Sequence, residues 1–381
     1  MIGTMDISFS WMSRTRTKTK IPLSFFHRSH CERRSSFSCS RVPSKSLALT
    51  FNGQVRGRQF CGVSNTGRRG MDADAMPTAQ ISETFFRNVL GSMEKIYLTK
   101  NPTASSIVDL VRRYDGGQLC YDHFAFRTFN VDGCGISAMA QFFLDFGYVA
   151  RDELRFPKKH LRALWFSPPE HLLDCKGEGV SGPLPRIFIS ELLVDKLSPE
   201  AQAIIKKYTS FSAHGNKYAA LASVLGSLTW PTPLFSDYKL LARESEYAAW
   251  TLVNGYALNH LTISVHRLKS EVRKIERLNE FIQSNKFKLN TEGGILKISP
   301  DGRLLQSSTV ADSMLFNFAE GTSESVPASY IEFAERLVLP EYGSLPAEKI
   351  SEWHRRDGFE VGSADKIFES TSSNQLSRTI A

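Results

Sequence analysis

Tyr121-Asp-His-Phe-Ala-Phe-Arg-Thr-Phe129 and Asn259-His-Leu-Thr-Ile-Ser-Val265 are the two stretches on which the reading of this chain turns. Both are rich in aromatic and β-favouring residues, the composition of buried strands. Each carries one histidine near its start, His123 and His260. About seventy residues after each comes a second strand-like run with a glutamate among apolar neighbours. These are Arg186-Ile-Phe-Ile-Ser-Glu191 and Tyr330-Ile-Glu-Phe-Ala-Glu335, the latter carrying Glu332. The separations are 68 (191 − 123) and 72 (332 − 260) residues, so the halves read as degenerate copies of one supersecondary unit. Metal-competent side chains at matching points of two copies predict a shared central site. A metalloenzyme is the expectation.

Strand periodicity decides which of these groups can meet, because side chains two residues apart share a face. His123, Ala125 and Arg127 point one way, and Phe124, Phe126 and Thr128 the other. His260, Thr262, Ser264 and His266 make a polar wall against Leu261, Ile263 and Val265. Glu332 shares its face with Tyr330 and Ala334, and a carboxylate buried there needs a cation or metal to compensate it. Two imidazoles and one carboxylate on three strands form a set suited to non-haem Fe(II), although Zn, Ni or Mn can use the same ligands. Arg127 is placed to clamp a substrate carboxylate bidentately.

The plainer reading of each residue stands beside this one. A strand histidine is more often a hydrogen-bonded structural residue than a ligand, and Glu332 has the option of pairing with a core arginine. Glu191, matched to Glu332 by its place in the copy, is the second choice for the carboxylate ligand. Glu335, next to Arg336, reads as a surface pair, and His160, His171, His214 and His266 read as structural or exposed. No local spacing motif links His123 to His260 across 137 residues (260 − 123).

Outward from these strands, an amphipathic helix is predicted over 82–97 with Ser82 as N-cap, and a second over 103–114. A helix at 136–146 ends at Gly147, and strands follow at 161–167 and 185–192. Residues 197–254 read helical, as an insertion opened by Leu197-Ser-Pro-Glu200 and closed by a helix from Ser236 to Asn254. The second copy starts with a strand from Tyr256 to about 266 and continues with a long helix over 267–284. Strands at 287–289, 295–299 and 303–307 come next, the last after a turn at Pro300-Asp301-Gly302. A strand at 329–335 closes the copy. The fold class is therefore α+β: two βαβββ modules forming a central curved sheet around a metal site, with a helical N-terminal segment and a helical insertion. Residues 80–370 are expected to be one catalytic domain, with modules at about 119–195 and 255–337, the insertion at 196–254, and a C-terminal segment over 338–370. Residues 371–381 are expected to be a disordered tail.

Charge divides the 381-residue chain unevenly. Residues 1–70 hold thirteen Lys and Arg, two acids and twelve serines, a net +11 within a chain of net +8. The rest is −3 (8 − 11), so the basic balance belongs to the leader and says nothing about nucleic acid. An Arg- and Ser-rich, acid-poor N-terminus reads as an organelle transit peptide, plastid rather than mitochondrial, against the alternative of a solvated tail. No apolar run approaches the length of a membrane span. Cys31, Cys39 and Cys61 lie in the leader, and Cys120, Cys134 and Cys175 form neither a disulfide framework nor a zinc spacing, which suits a reducing stroma or cytosol.

Phe142-Phe-Leu-Asp-Phe-Gly-Tyr148, after a histidine-bearing strand, resembles the helix-to-glycine turn of the vicinal oxygen chelate superfamily. Residues from about 80 to 370 more closely resemble the 2-oxoadipate dioxygenase/decarboxylase family, and a plastid member of it from a plant. The stretches that carry the likeness are Asp122-His-Phe-Ala-Phe-Arg127, Asn259-His-Leu-Thr262, Ser329-Tyr-Ile-Glu-Phe-Ala-Glu-Arg336 and Ala364-Asp-Lys-Ile-Phe-Glu-Ser-Thr371. The resemblance implies conversion of 2-oxoadipate and O₂ to D-2-hydroxyglutarate and CO₂, a step of lysine catabolism in a chloroplast or amyloplast stroma. It implies His123, His260 and Glu332 as Fe(II) ligands and Arg127 as the residue that holds a substrate carboxylate and fixes the face presented. It implies Gly362 and Ser363 at the distal carboxylate. The partners expected are a small 2-oxo acid and O₂, with no nucleic acid or membrane. Two other readings of the same scaffold are a glyoxalase-like lyase or isomerase using Zn or Ni, and a non-catalytic plastid binding or developmental factor.

Overall fold

β1 (Tyr121–Asn130) and β5 (Leu258–Ser264), the two histidine-bearing stretches, lie side by side and antiparallel at the middle of an eight-stranded sheet. The computed structural model describes residues 78–131, 134–211, 221–222, 224 and 226–377. Beyond β1 the sheet continues with β4 (Arg186–Leu193), β3 (Leu161–Ser167) and the edge strand β2 (Val149–Phe156). Beyond β5 it continues with β10 (Tyr330–Arg336), β7 (Leu304–Ser308) and the short β6 (Lys297–Ile298). β1 runs parallel to β4, as β5 does to β10, and the outer pairs are antiparallel. With helices α3 (Ile136–Asp145) and α7 (Ile275–Ser284), β1-α3-β2-β3-β4 is repeated by β5-α7-β6-β7-β10. The predicted pair of βαβββ modules is present, back to back across one seam.

The outer face of the sheet is apolar. α1 (Thr78–Lys100) and α2 (Pro102–Asp115) share one buried cluster with the β1 and β5 residues Phe124, Phe126, Leu261 and Ile263. Phe86 of α1 meets the rings of Phe142, Phe146 and Tyr148 within 6 Å, which fixes α1 over the helix-to-glycine turn at Gly147. Buried rings in such offset and edge arrangements add roughly 0.5–1.5 kcal/mol per pair beyond the area they cover. Helices α4 (Pro199–Thr209), α5 (Phe235–Glu244) and α6 (Glu246–Asn254) occupy the insertion between the modules. The inner face carries the polar side chains, and the segment after β10 folds back over it, including α8 (Val361–Ile367).

Several boundaries differ from the sequence reading for identifiable reasons. β2 was not located, because its residues Arg151-Asp-Glu-Leu-Arg155 are an exposed edge with almost no apolar alternation. The hairpin of β8 (Ser313–Asn317) and β9 (Ser323–Pro327), inserted in the second module, is likewise mostly solvent-facing. The long helix over 267–284 is only Ile275–Ser284, preceded by two 3₁₀ turns, and 287–289 contributes a single bridge, Leu289 to Thr309. Ser82 is inside α1 rather than its N-cap. The helix expected at 236–254 breaks at Ser245, whose side chain accepts from the Ala248 N–H and caps α6. The tail expected from 371 is placed through Ser377, with α9 (Ser373–Ser377) and buried Thr371, Ser372 and Gln375. The leader at 1–70, His214 and residues 378–381 lie outside the described residues.

Candidate metal centre

Two β-bulges build the site. On β1, Tyr121 pairs with Ile263 but His123 with Thr262, so Asp122 is an extra residue. On β5, His260 pairs with Ala125 but Leu258 with Phe126, so Asn259 is the extra one. An unpaired bulge residue is free to turn its side chain toward its neighbour's face. Asp122 Oδ1 accepts from His123 Nδ1 at 2.8 Å, and Asn259 Oδ1 accepts from His260 Nδ1 at 2.9 Å. Each imidazole is thereby held in the tautomer that leaves Nε2 with a free lone pair, the arrangement found behind metal-bound histidines.

Three donor atoms converge, with the Thr262 hydroxyl 3.0 Å from His123 Nε2 beside them. His123 Nε2 and His260 Nε2 are 3.3 Å apart, and Glu332 Oε2 is 3.6 Å from the first and 3.1 Å from the second. A triangle with those sides has a circumscribed radius of about 1.9 Å, just inside metal–nitrogen and metal–oxygen bond lengths of roughly 2.0–2.2 Å. All three side chains are almost completely buried, and among the described residues they form the one such group of three or more. Gln306 donates to Glu332 Oε1 at 2.7 Å, so the carboxylate presents its other oxygen alone. The residues fit a divalent ion.

Electrostatics give the same result. Burial alone would raise the Glu332 pKa, yet His123 and His260 hold it down to about 2. Burial lowers that of His260 to about 4, so it is neutral and ready to coordinate near pH 7. Burial works against the charge on His123 too, but Glu332 and Asp122 push its pKa up. Asp122 is also buried, and Arg336, His123 and Arg186 overcome that burial to keep it ionised. Arg336 grips Asp122 through two contacts, Nε–Oδ2 at 2.6 Å and Nη2–Oδ1 at 2.9 Å, while Arg186 sits 3.6 Å away.

Glu191 lies outside the triad, which corrects the matching made from sequence. Its Oε2 accepts the Ile136 N–H at 2.8 Å at the start of α3, and its Oε1 pairs with Arg162. Gly135 stands at φ +85 against it, where an added Cβ would lie 2.5 Å from Glu191 Oε2, so only glycine fits. The counterpart of Glu191 is Glu335, which accepts the Ile275 N–H at the start of α7 at 2.8 Å. Glu335 is therefore a buried helix-capping residue and not a surface one. Spacing along the chain had matched Glu191 with Glu332, because the two modules differ in loop length.

Arg127 lies on the inner face, as expected, but not against the triad. Its guanidinium packs over the rings of Trp250, Tyr247 and Phe368 at 4.9, 5.1 and 5.7 Å, and Nη2 donates to Thr371 Oγ1. Its guanidinium also faces the Tyr330 hydroxyl, and both groups are buried. Arg127 borders a cavity of about 270 Å³, and Phe368 lines both this cavity and the space at the triad. Ser363 is buried in the first turn of α8 and Gly362 beside it is exposed. Next to them, Ala364, Ile367 and Phe359 enclose the triad, with Phe188. His266 is structural, bonded to Glu352 at 3.0 Å, and His160 and His171 are exposed. Sequence reasoning missed Asp122, Asn259 and Gln306. The first two were legible, since an Asx residue precedes the histidine in both copies.

A family model described as 2-oxoadipate dioxygenase/decarboxylase matches residues 89–349. The chain is 65% identical over 309 residues to the chloroplastic/amyloplastic 2-oxoadipate dioxygenase/decarboxylase of Oryza sativa subsp. japonica, covering 81% of this chain and 84% of that one. It is 61% identical over 322 residues to the chloroplastic 2-oxoadipate dioxygenase/decarboxylase of Arabidopsis thaliana, covering 84% and 85%. Among solved structures, it is similar to the Oryza sativa hydroxyglutarate synthase in complex with 2-oxoadipate. The TM-score is 0.76 with 63% identity, over 83% of this chain and all of the other.

Proposed function

The chain belongs to the 2-oxoadipate dioxygenase/decarboxylase family, and we propose that it converts 2-oxoadipate and O₂ to D-2-hydroxyglutarate and CO₂ at the centre formed by His123, His260 and Glu332. The observation that carries this reading is the convergence of three buried donor atoms within 3.6 Å of one another. Fe(II) held by His123, His260 and Glu332 would act as a Lewis acid on a 2-oxo acid and would supply electrons to O₂. The substrate brings its own reductant, because its oxidative decarboxylation provides the two electrons that a second organic co-substrate would otherwise supply. A plastid location goes with the chloroplastic names of the relatives, and lysine breakdown is the pathway proposed for this activity.

The protein's own residues bind, orient and keep the site dry. Phe188, Phe359, Ile367 and Phe368 wall the triad with hydrocarbon, so water is excluded and charges inside act through a low dielectric. Gln306 occupies one oxygen of Glu332 and would leave the other for an ion. Arg127 presents a guanidinium, stiffened by three rings, to a substrate carboxylate. Such a fork fixes which face of the shortened chain is presented. Ser363, buried beside Ala364, and Gly362 are assigned to the far carboxylate.

Arg127→Lys is expected to raise KM for 2-oxoadipate and lower kcat, roughly 10- to 100-fold in kcat/KM, since an ammonium cannot reproduce the planar fork or stack on Trp250. Steady-state kinetics unchanged by this substitution would remove Arg127 from the site. The reaction class is tested by supplying the iron-loaded chain with 2-oxoadipate with and without O₂. CO₂ release should require O₂ and match its uptake one to one. Release without O₂ would instead indicate a lyase.

A further inference from the structure

The register of the sheet exposes a fourth position at the centre. His123 pairs with Arg186 on β4, and its counterpart His260 pairs with Tyr330 on β10. Two residues further along each of those strands, on the same inner face, stand Phe188 and Glu332. The outer neighbours give the same correspondence, with Phe188 opposite Trp165 on β3 and Glu332 opposite Ser308 on β7. The capping carboxylates Glu191 and Glu335 do so again, each three residues beyond, at the start of its module's helix. Four equivalent inward positions therefore surround one point, and three of them carry donors.

Phe188 fills the fourth. It is 4% exposed and lines the same space as His123, His260 and Glu332. Its ring lies 4.9 Å from Phe359, which itself meets His123 edge-on at 4.8 Å. A phenyl offers no lone pair to a metal. A six-coordinate ion held by three protein donors has three positions left, of which a chelating 2-oxo acid takes two. One position remains for O₂, and a fourth protein donor would take it.

We infer that Phe188 occupies the vacated fourth ligand position of the duplicated site, and that the missing donor there is what leaves room for O₂ beside the 2-oxo acid. The inference rests on the proposed metal centre and adds the residue that sets its chemistry. Phe188→Glu, which copies Glu332 into the other module, closes the position.

The test uses the full-length chain with Co²⁺ as probe, read by its visible absorption bands and by competition with a chelator. Phe188→Glu is expected to bind Co²⁺ at least about 10-fold more tightly than wild type, since even a partner behind a ligand moves metal affinity roughly 10- to 100-fold. Its bands should shift, and they should shift again on adding 2-oxoadipate, while the iron-loaded variant consumes O₂ at least about 100-fold more slowly. Phe188→His, less prone to misfold beside Phe359, should give the same tightening, and Phe188→Leu should leave Co²⁺ affinity within about twofold of wild type. Glu and His variants that bind Co²⁺ no more tightly than wild type, or a Leu variant that tightens as they do, would overturn the inference while leaving the centre standing. Wild-type Co²⁺ binding that survives His260→Ala would overturn the centre and the inference together.

Discussion

Alanine at position 260 is expected to strip the full-length chain of its divalent metal while leaving a folded protein. Removing only the hydrogen-bonded partner behind a ligand lowers affinity roughly 10- to 100-fold, and losing the ligand itself exceeds that range. His260 is the member of the triad best prepared to coordinate. Burial keeps it unprotonated to about pH 4, so near pH 7 an ion has no proton to displace from it. Asn259 fixes its tautomer, and Tyr330 stacks on its ring at 4.7 Å. The fold should survive because Glu332 keeps its Gln306 bond and has His123 3.6 Å away. A loss of about 1–3 kcal/mol, the range of ordinary buried truncations, is the expected cost. Metal content after dialysis and the urea midpoint read the two effects separately. Undiminished metal content would dismantle the assignment, whatever the stability.

What the sequence made legible follows the strength of its periodicity. β1, β4, β5 and β10 are buried on both faces, so their apolar and aromatic runs announce them, and they carry all three proposed ligands and Arg127. β2 escaped because an edge strand facing solvent has no reason to alternate. The carboxylate question stayed open in the sequence because Glu191 and Glu332 stand at nearly equal distances from their histidines. Distance along a chain counts loop residues as well as strand residues, whereas equivalence in a sheet is set by register, which pairs Glu191 with Glu335. Arg336 is the clearest misreading. A Glu-Arg dipeptide resembles a solvent-facing pair, yet both side chains are buried, and they point to opposite ends of the site's support.

Arg336 supports the second large expected effect. It is completely buried and makes two contacts to Asp122, and its Nη1 donates to the carbonyls of Arg356 and Gly358 in the segment that carries Phe359 over the triad. Arg336→Leu would leave Asp122 ionised in a dry interior with Arg186 only at 3.6 Å, and breaking a buried pair in this way costs about 3–5 kcal/mol. The cost depends on pH with a definite sign. The wild-type Asp122 pKa lies below its ordinary value, so the stability it contributes is present above the unfolded carboxylate range and fades as pH falls through the depressed folded value. The variant lacks that contribution, so the gap between the two proteins should narrow on acidification below about pH 4. The other module shows how to recover the loss at neutral pH. There the residue behind the histidine is the uncharged Asn259, and the position in β4 equivalent to Arg336 is Leu192. Adding Asp122→Asn to Arg336→Leu copies that arrangement, keeps an oxygen acceptor for His123 Nδ1, and removes the stranded charge. Urea denaturation of the two single variants and the double variant at pH 7 should show the double recovering more than half of the Arg336→Leu loss. A double variant as unstable as the sum of its parts would mean that Arg336 acts through the Arg356 and Gly358 carbonyls alone, with no energetic link to Asp122.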